Sequence, residues 1–231
     1  MLGLGATLTG ACVSMYPEEV KQSRDDDLRL CASRSRSVAI AACERVLARP
    51  DVERWPGSIS YAATAYWARA NSAWHLARHL AGDGRNEESL AAALRSVELF
   101  ERYDLERRQK GSSEFLFKPD QQTAMLQVFL ARAEYAAGLQ LVRLRRWPEA
   151  LPHLQRVVGL DSRVAVGWAT LGVVANQTED YATSRRAFER ALDIEPGYFT
   201  EPRSIQRGVC DASRDGRRFE LGAAPPSAKE P

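Results

Sequence analysis

Chemistry-bearing motifs are missing from this chain of 231 residues. It has no G-x-S-x-G elbow, no phosphate-binding loop and no G-x-G-x-x-G turn opening a βα unit, which are the local patterns of esterase-type, nucleotide and dinucleotide sites. Excess charge is lacking too. Lys+Arg number 32 against 30 Asp+Glu, a net +2, and a dedicated nucleic-acid binder needs a basic excess gathered on one face. No nucleic acid is expected as a partner. Four cysteines (Cys12, Cys31, Cys43 and Cys210) form no C-x-x-C pair, which argues against a zinc or dithiol site. Histidine is scarce, with three in all. His75 and His79 stand at i, i+4, the spacing of two ligands on one helix face. Leu76, Ala77 and Arg78 lie between them, so the zincin glutamate is absent, and Asp83 is the candidate third ligand. Two partly exposed histidines beside the Gly82 turn are the expectation. A metal-binding protein or enzyme using His75 and His79 is the runner-up. His153 has no Ser or Cys beside it for a triad. Glu87/Glu88 and Asp25–Asp27 have no apolar surroundings to shift a pKa. No catalytic residue, cofactor or metal is expected.

What is present is helical periodicity. The chain is 45% hydrophobic and 27% charged, ordinary for a globular protein of one or two domains. Alanine and arginine abound and lysine is scarce, a composition correlated with high-GC bacteria. Asp26–Arg49 reads as one helix with a stripe of Ala39, Ile40, Cys43, Val46 and Leu47, stopped by Pro50. Ser60–Ala81 is the next helix, with Trp74 on its broad apolar face, and Gly82-Asp83-Gly84 breaks it. Glu87–Tyr103 follows, with Leu90, Ala91, Leu94, Val97 and Leu99 facing inward. Arg107–Asp120 reads as a loop whose Phe115–Phe117 tuck back on the core. Gln121–Arg145 and Glu149–Leu160 are helical, with Pro148 in a first turn, where its missing N–H costs nothing.

Trp168-Ala169-Thr170-Leu171-Gly172, followed by Tyr181, Phe188, Ala191 and Pro196, matches the W-x2-L-G…A-x3-F…P spacing of a helix-turn-helix repeat. This resembles the tetratricopeptide family, departing from it at Ala175 and Ser184. The period supports it. Gly138 and Gly172, Ala150 and Ser184, Leu154 and Phe188, and Val157 and Ala191 each stand 34 apart. The resemblance covers 131–196 strongly and 60–103 and 37–50 more weakly. It implies an all-α, right-handed superhelix of about three to four helical hairpins over residues 26–196. Stacking is obligatory, because no single hairpin buries its own apolar face. Beyond Pro196 the period stops, and 197–231, with Pro225, Pro226 and Pro231, reads as a mostly disordered tail.

Residues 1–14 look like the apolar part of a secretory signal, without its basic n-region, so a start further upstream is expected. Leu8-Thr9-Gly10-Ala11-Cys12 is similar to a lipoprotein cleavage box, with the Leu one place too far upstream. Cys12 is therefore a lipidation candidate, which would anchor the N-terminus to a membrane. The run Ala39–Val46 is similar to the opening of small exported bacterial repeat proteins. Periplasmic or envelope placement is the expectation and a cytoplasmic adaptor the alternative. On export, Cys31 and Cys43 become disulfide candidates; otherwise they are two buried thiols.

The family implies a concave groove lined by the first helix of each hairpin, binding a protein or peptide. The candidates are Arg132, Tyr135, Leu139, Val142 and Arg143 in one repeat, and Val166, Ala169, Val173, Asn176 and Gln177 in the next. Aromatic, aliphatic, Arg and amide side chains together suit an extended peptide. The Lys/Asn carboxylate clamp of co-chaperone members is not matched. The competing expectation is that the C-terminal tail or the N-terminal helix covers this groove.

Overall fold

A computed structural model describes residues 18–49, 59–110, 119–198 and 205–220, and every regular element among them is an α-helix. The order is α1 (Glu18–Cys31), α2 (Arg36–Ala48), α3 (Ile59–Gly82), α4 (Asn86–Lys110), α5 (Pro119–Arg143), α6 (Trp147–Leu160), α7 (Ala165–Gln177), α8 (Tyr181–Ile194) and α9 (Ile205–Arg214). Consecutive helices pair as four hairpins, α1–α2 through α7–α8, and each hairpin stacks on the next through α2–α3, α4–α5 and α6–α7.

The period is visible as packing. On the second helix of each hairpin, Ala39/Cys43/Val46, Ser89/Ala93/Ser96, Ala150/Leu154/Val157 and Ser184/Phe188/Ala191 occupy equivalent buried positions. Glycine on the first helix lets two of these side chains in. A Cβ on Gly138 would stand 3.0 Å from Leu154, and one on Gly172 would stand 2.8 Å from the Phe188 ring. Buried serines tie the helices where the side chain is small. Ser89 donates to Ala77 O at 2.7 Å, Ser96 to Ala70 O at 2.8 Å and Ser184 to Gly172 O at 2.6 Å. The turns repeat as well. Gly84, Arg145 and Glu179 all have left-handed φ (75°, 57° and 66°). Each is followed by a bond back across the helix end: Arg85 N to Leu80 O at 3.0 Å, Arg146 N to Leu141 O at 2.8 Å and Asp180 N to Ala175 O at 2.9 Å. These are Schellman-type C-caps, two of them built without glycine.

Buried charge pins neighbouring helices. Glu134 on α5 is fully buried. Its Oε2 meets His153 Nδ1 of α6 at 2.6 Å. Arg156 Nη1 lies 2.6 Å from Oε1, off the hydrogen-bond direction, and Arg156 Nη2 donates to Glu101 of α4 at 2.7 Å. In the first hairpin, buried Asp27 accepts from Arg45 at 2.7 Å and from Arg49 at 2.9 Å. Taking either partner away would leave a desolvated carboxylate short of a counter-charge.

Four sequence expectations change. Asp26–Arg49 is two helices rather than one, parted at residues 32–35, where Ser33 Oγ donates to Ser35 O at 3.4 Å; short hydroxyl side chains offer the backbone such a local alternative to the helix. Arg107 does not open a loop: α4 continues to Lys110, with Arg107 and Arg108 both paired to Asp104 (2.7 and 2.6 Å). Phe115–Phe117 lie outside the described residues. Leu94 is 41% exposed and Ala91 is exposed, because Leu90, Ala93, Val97 and Phe100 set the inward face and 91 and 94 turn away from it. The segment after Pro196 is not all tail, since α9 docks on α7 and α8.

That docking is specific. Val209 and Cys210 join Ala169, Phe188 and Ala191 in one cluster, with Phe219 packed against it. A Cβ on Gly208 would meet the Phe219 ring at 2.6 Å. Asn176 donates to Ser213 Oγ (2.9 Å) and to Arg217 O (3.0 Å) and accepts from Phe219 N (2.9 Å). Gln177 donates to Phe219 O at 2.7 Å. A stacked array must end in a cap that supplies a last apolar face while presenting water with a polar one, and α9 does this.

Candidate functional site

Helices α3 and α5 are the first helices of two successive hairpins, and a cleft of about 400 Å³ opens between them. From α3 it is lined by Trp74, Ala77, Arg78, Ala81 and Gly82. From α5 it is lined by Arg132, Tyr135, Ala136, Leu139, Gln140 and Arg143. The spacings explain the grouping: 74, 78 and 81 fall on one helical face, as do 132, 136, 139 and 143. The small residues Ala77, Ala81, Gly82 and Ala136 keep the cleft from filling with side chains.

Its long side chains are held. Arg78 Cζ sits 4.8 Å from the Trp74 ring centroid, and Arg132 Cζ 5.1 Å from that of Phe129. Arg143 donates to Gln140 Oε1 at 3.4 Å. The Tyr135 hydroxyl is 3.5 Å from Thr170 Oγ1 on α7. Thr170 gives its own proton to Val166 O at 2.8 Å, so Tyr135 is the donor in that pair. Burial pushes the Tyr198 hydroxyl up from its ordinary range, and nearby Tyr135 adds to the shift. Arg78, Arg132 and Arg143 form no ion pair with another described residue, so three guanidinium groups reach the cleft without a counter-charge.

The sequence candidates divide sharply. Arg132, Tyr135, Leu139 and Arg143 share the cleft. Val142 instead packs against the main core. Val166 is exposed on α7. Ala169, Asn176 and Gln177 are not open groove residues. Ala169 is 1% exposed, Asn176 0% and Gln177 7%, because α9 and the strand of chain after it cover them. Val173 packs on the same C-terminal cluster. Trp74 and Arg78 were missed as a site. Trp74 read as core because it continues an apolar stripe; the signal was Arg78, one turn on, which no fully buried face tolerates.

Cys31 and Cys43 are joined by a disulfide with Cα atoms 4.7 Å apart. Cys12 lies outside the described residues. His75 packs edge-on against Trp74 at 4.9 Å. Asp83, the third ligand a metal would need there, is paired with Arg36 at 3.0 Å, and no trio of His, Cys, Asp or Glu suited to a metal stands together among the described residues. Burial, then the charges of Arg78 and His79, hold the His75 imidazole below its ordinary range. His79 is lowered chiefly by burial, against a hydrogen bond to the Cys31 backbone. Folding therefore disfavours their protonated forms. Stability is complete above the unfolded imidazole value of about 6.5 and falls as pH drops below it. Melting temperature is expected to fall on acidification through that window, and His75→Gln is expected to flatten the fall.

No protein-family model matches the sequence, and no curated protein does. Among solved structures, a crystal structure of MamA is similar with a TM-score of 0.52 at 15% identity, covering 88% of this chain and 86% of that one. A structure of MamA from AMB-1 is similar with a TM-score of 0.54 at 14% identity, over 86% and 89%. The fold is that of a tetratricopeptide-repeat superhelix. The in-phase Gly138/Leu154 and Gly172/Phe188 contacts are the tetratricopeptide packing seen from inside, and the α3–α5 cleft lies where such a superhelix is concave.

Proposed function

We propose that the protein is a non-enzymatic interaction scaffold whose α3–α5 cleft holds an extended segment of a partner protein. One observation carries this reading: an open cleft gathers aromatic, aliphatic and guanidinium side chains on two adjacent first helices. Interface hot spots are made of Trp, Tyr and Arg in such settings. The likeness to MamA supports the architecture and supplies no partner. Affinity capture with the full chain tests the reading. Tyr135→Ala and Arg132→Ala are each expected to reduce recovery of the specific partners about tenfold, as loss of a hot-spot side chain does, with helix content unchanged in both and melting unchanged in Arg132→Ala. Recovery of the same partners at the same level by both variants would show that the cleft is not the docking site.

We further infer that the scaffold works at the bacterial envelope. The Cys31–Cys43 disulfide supports export, since such bonds persist in oxidising compartments, and so does the signal-like segment ending at Cys12. Mass spectrometry of the natural N-terminus decides it. A mature chain beginning at or near a lipid-bearing Cys12 is the expected result; an intact Met1 on the protein would exclude export by this route.

A further inference from the structure

Resting on the cleft as the docking site, we propose that its occupant is an acidic linear peptide with two carboxylates about four residues apart and an apolar side chain between them. Charge comes first. Arg78, Arg132 and Arg143 line the cleft without an ion-pair partner among the described residues. Several other arginines of the molecule are spent locally: Arg85 on Glu88, Arg146 on Glu149, Arg163 on Asp161 and Arg108 on Asp104. The contrast fits a cleft whose counter-charge arrives with a ligand. Guanidinium groups favour carboxylates through paired N–H donors.

Spacing comes second. Arg132 and Arg143 lie 11 residues apart on one helix, about 16 Å along its axis. An extended peptide advances about 3.3 Å per residue, and only side chains an even number apart share a face, so its two acidic side chains fall about four residues apart, with the long guanidinium arms reaching inward to meet them. Between the arginines α5 presents Tyr135, Ala136 and Leu139, and α3 presents Trp74 across from them. That middle is apolar and calls for an apolar side chain. Nucleic acid fits less well, because a chain of net charge +2 lacks the basic excess that a dedicated nucleic-acid binder carries.

Fluorescence anisotropy on the full chain tests the proposal with synthetic dodecapeptides. One carries two glutamates four positions apart with a leucine midway; a second replaces both glutamates with glutamine, a third with lysine. A single-stranded oligonucleotide is the fourth probe. The acidic peptide is expected to bind at least about tenfold tighter than the glutamine one, the worth of one or more charge-assisted contacts, and to weaken with added salt. Arg132→Gln with Arg143→Gln is expected to erase that preference while leaving the melting curve unchanged. Equal binding of glutamate and glutamine peptides, still lost in Tyr135→Ala, would overturn the acidic specificity and keep the cleft. Tighter binding of the oligonucleotide would overturn it too. If neither these peptides nor any from a random displayed library bind in a Tyr135-dependent way, the cleft assignment falls as well.

Discussion

Phe188→Ala is expected to destabilise the protein by about 3–5 kcal/mol, the range for truncating a fully buried aromatic. The ring is fully buried and sits against the backbone of Gly172 on the facing helix, with Ala169, Ala191, Val209 and Cys210 around it. It joins α7 to α8 and, through the same cluster, to α9. Gly172→Ala should cost about 1–3 kcal/mol by the opposite route, overpacking, since its methyl would stand 2.8 Å from the ring. The two should not add. In the double variant the methyl enters space the ring has vacated, giving a coupling of about 1–2 kcal/mol. Urea titrations of the four proteins measure this. Because coupling in a solenoid runs only between neighbours, the loss concentrates at the C-terminal end. Thiol labelling of buried Cys210, in a Cys12→Ser background, should accelerate in Phe188→Ala as α9 undocks. Additive costs, or a Phe188→Ala cost under about 1 kcal/mol, would mean that this contact does not organise the hairpin.

That pair also shows what was legible in the sequence. Gly172 and Phe188, with Gly138 and Leu154 one period earlier, are local in sequence and fixed by helix geometry. Residue type and spacing reveal them, and with them the hairpins and the stacking. The first hairpin was harder, since Asp26–Arg49 keeps an apolar period across a turn marked only by serines and arginines. The cap α9 was hidden for a different reason. Its fit depends on Asn176 and Gln177 meeting backbone groups of Arg217 and Phe219 about forty residues later, and no periodicity reports such a contact. Half of the candidate site was lost with it. Asn176 and Gln177 looked like groove amides because their type suits peptide binding; their amides are used on the chain's own end. The half that remained, Arg132 to Arg143, lies on one face of one helix, where i, i+4 arithmetic suffices. Its other wall, Trp74 and Arg78, required knowing that α3 rather than α7 closes the cleft.

Reducing the Cys31–Cys43 disulfide is expected to cost about 3 kcal/mol, from the entropy of the loop it closes across a sequence separation of 12. Cys43 occupies the place that Leu154 and Phe188 hold in later hairpins, so a covalent bond stands where those hairpins have a large apolar side chain. Spread over the whole chain, that loss would lower the melting temperature by about 6–12 °C at about 2–4 °C per kcal/mol. It should instead be local. Among the described helices α1 and α2 stack chiefly on α3, and without the bond they are held by Asp27 to Arg45 and Arg49, by Arg36 to Asp83, and by the small apolar face of Ala39, Ala42 and Val46. Hydrogen exchange should therefore rise in peptides from 18–49 on adding dithiothreitol, while those from 119–194 keep their protection. Cys31→Ala with Cys43→Ala should reproduce this without reductant. Unchanged exchange at both ends would mean that the ion pairs already fix the first hairpin. Loss of protection in both would mean that the array unfolds as one unit. A local response carries a consequence for export: a chain still in a reducing compartment would have its last three hairpins packed and its first one loose, and the α1–α2 hairpin would lock onto α3 only after oxidation.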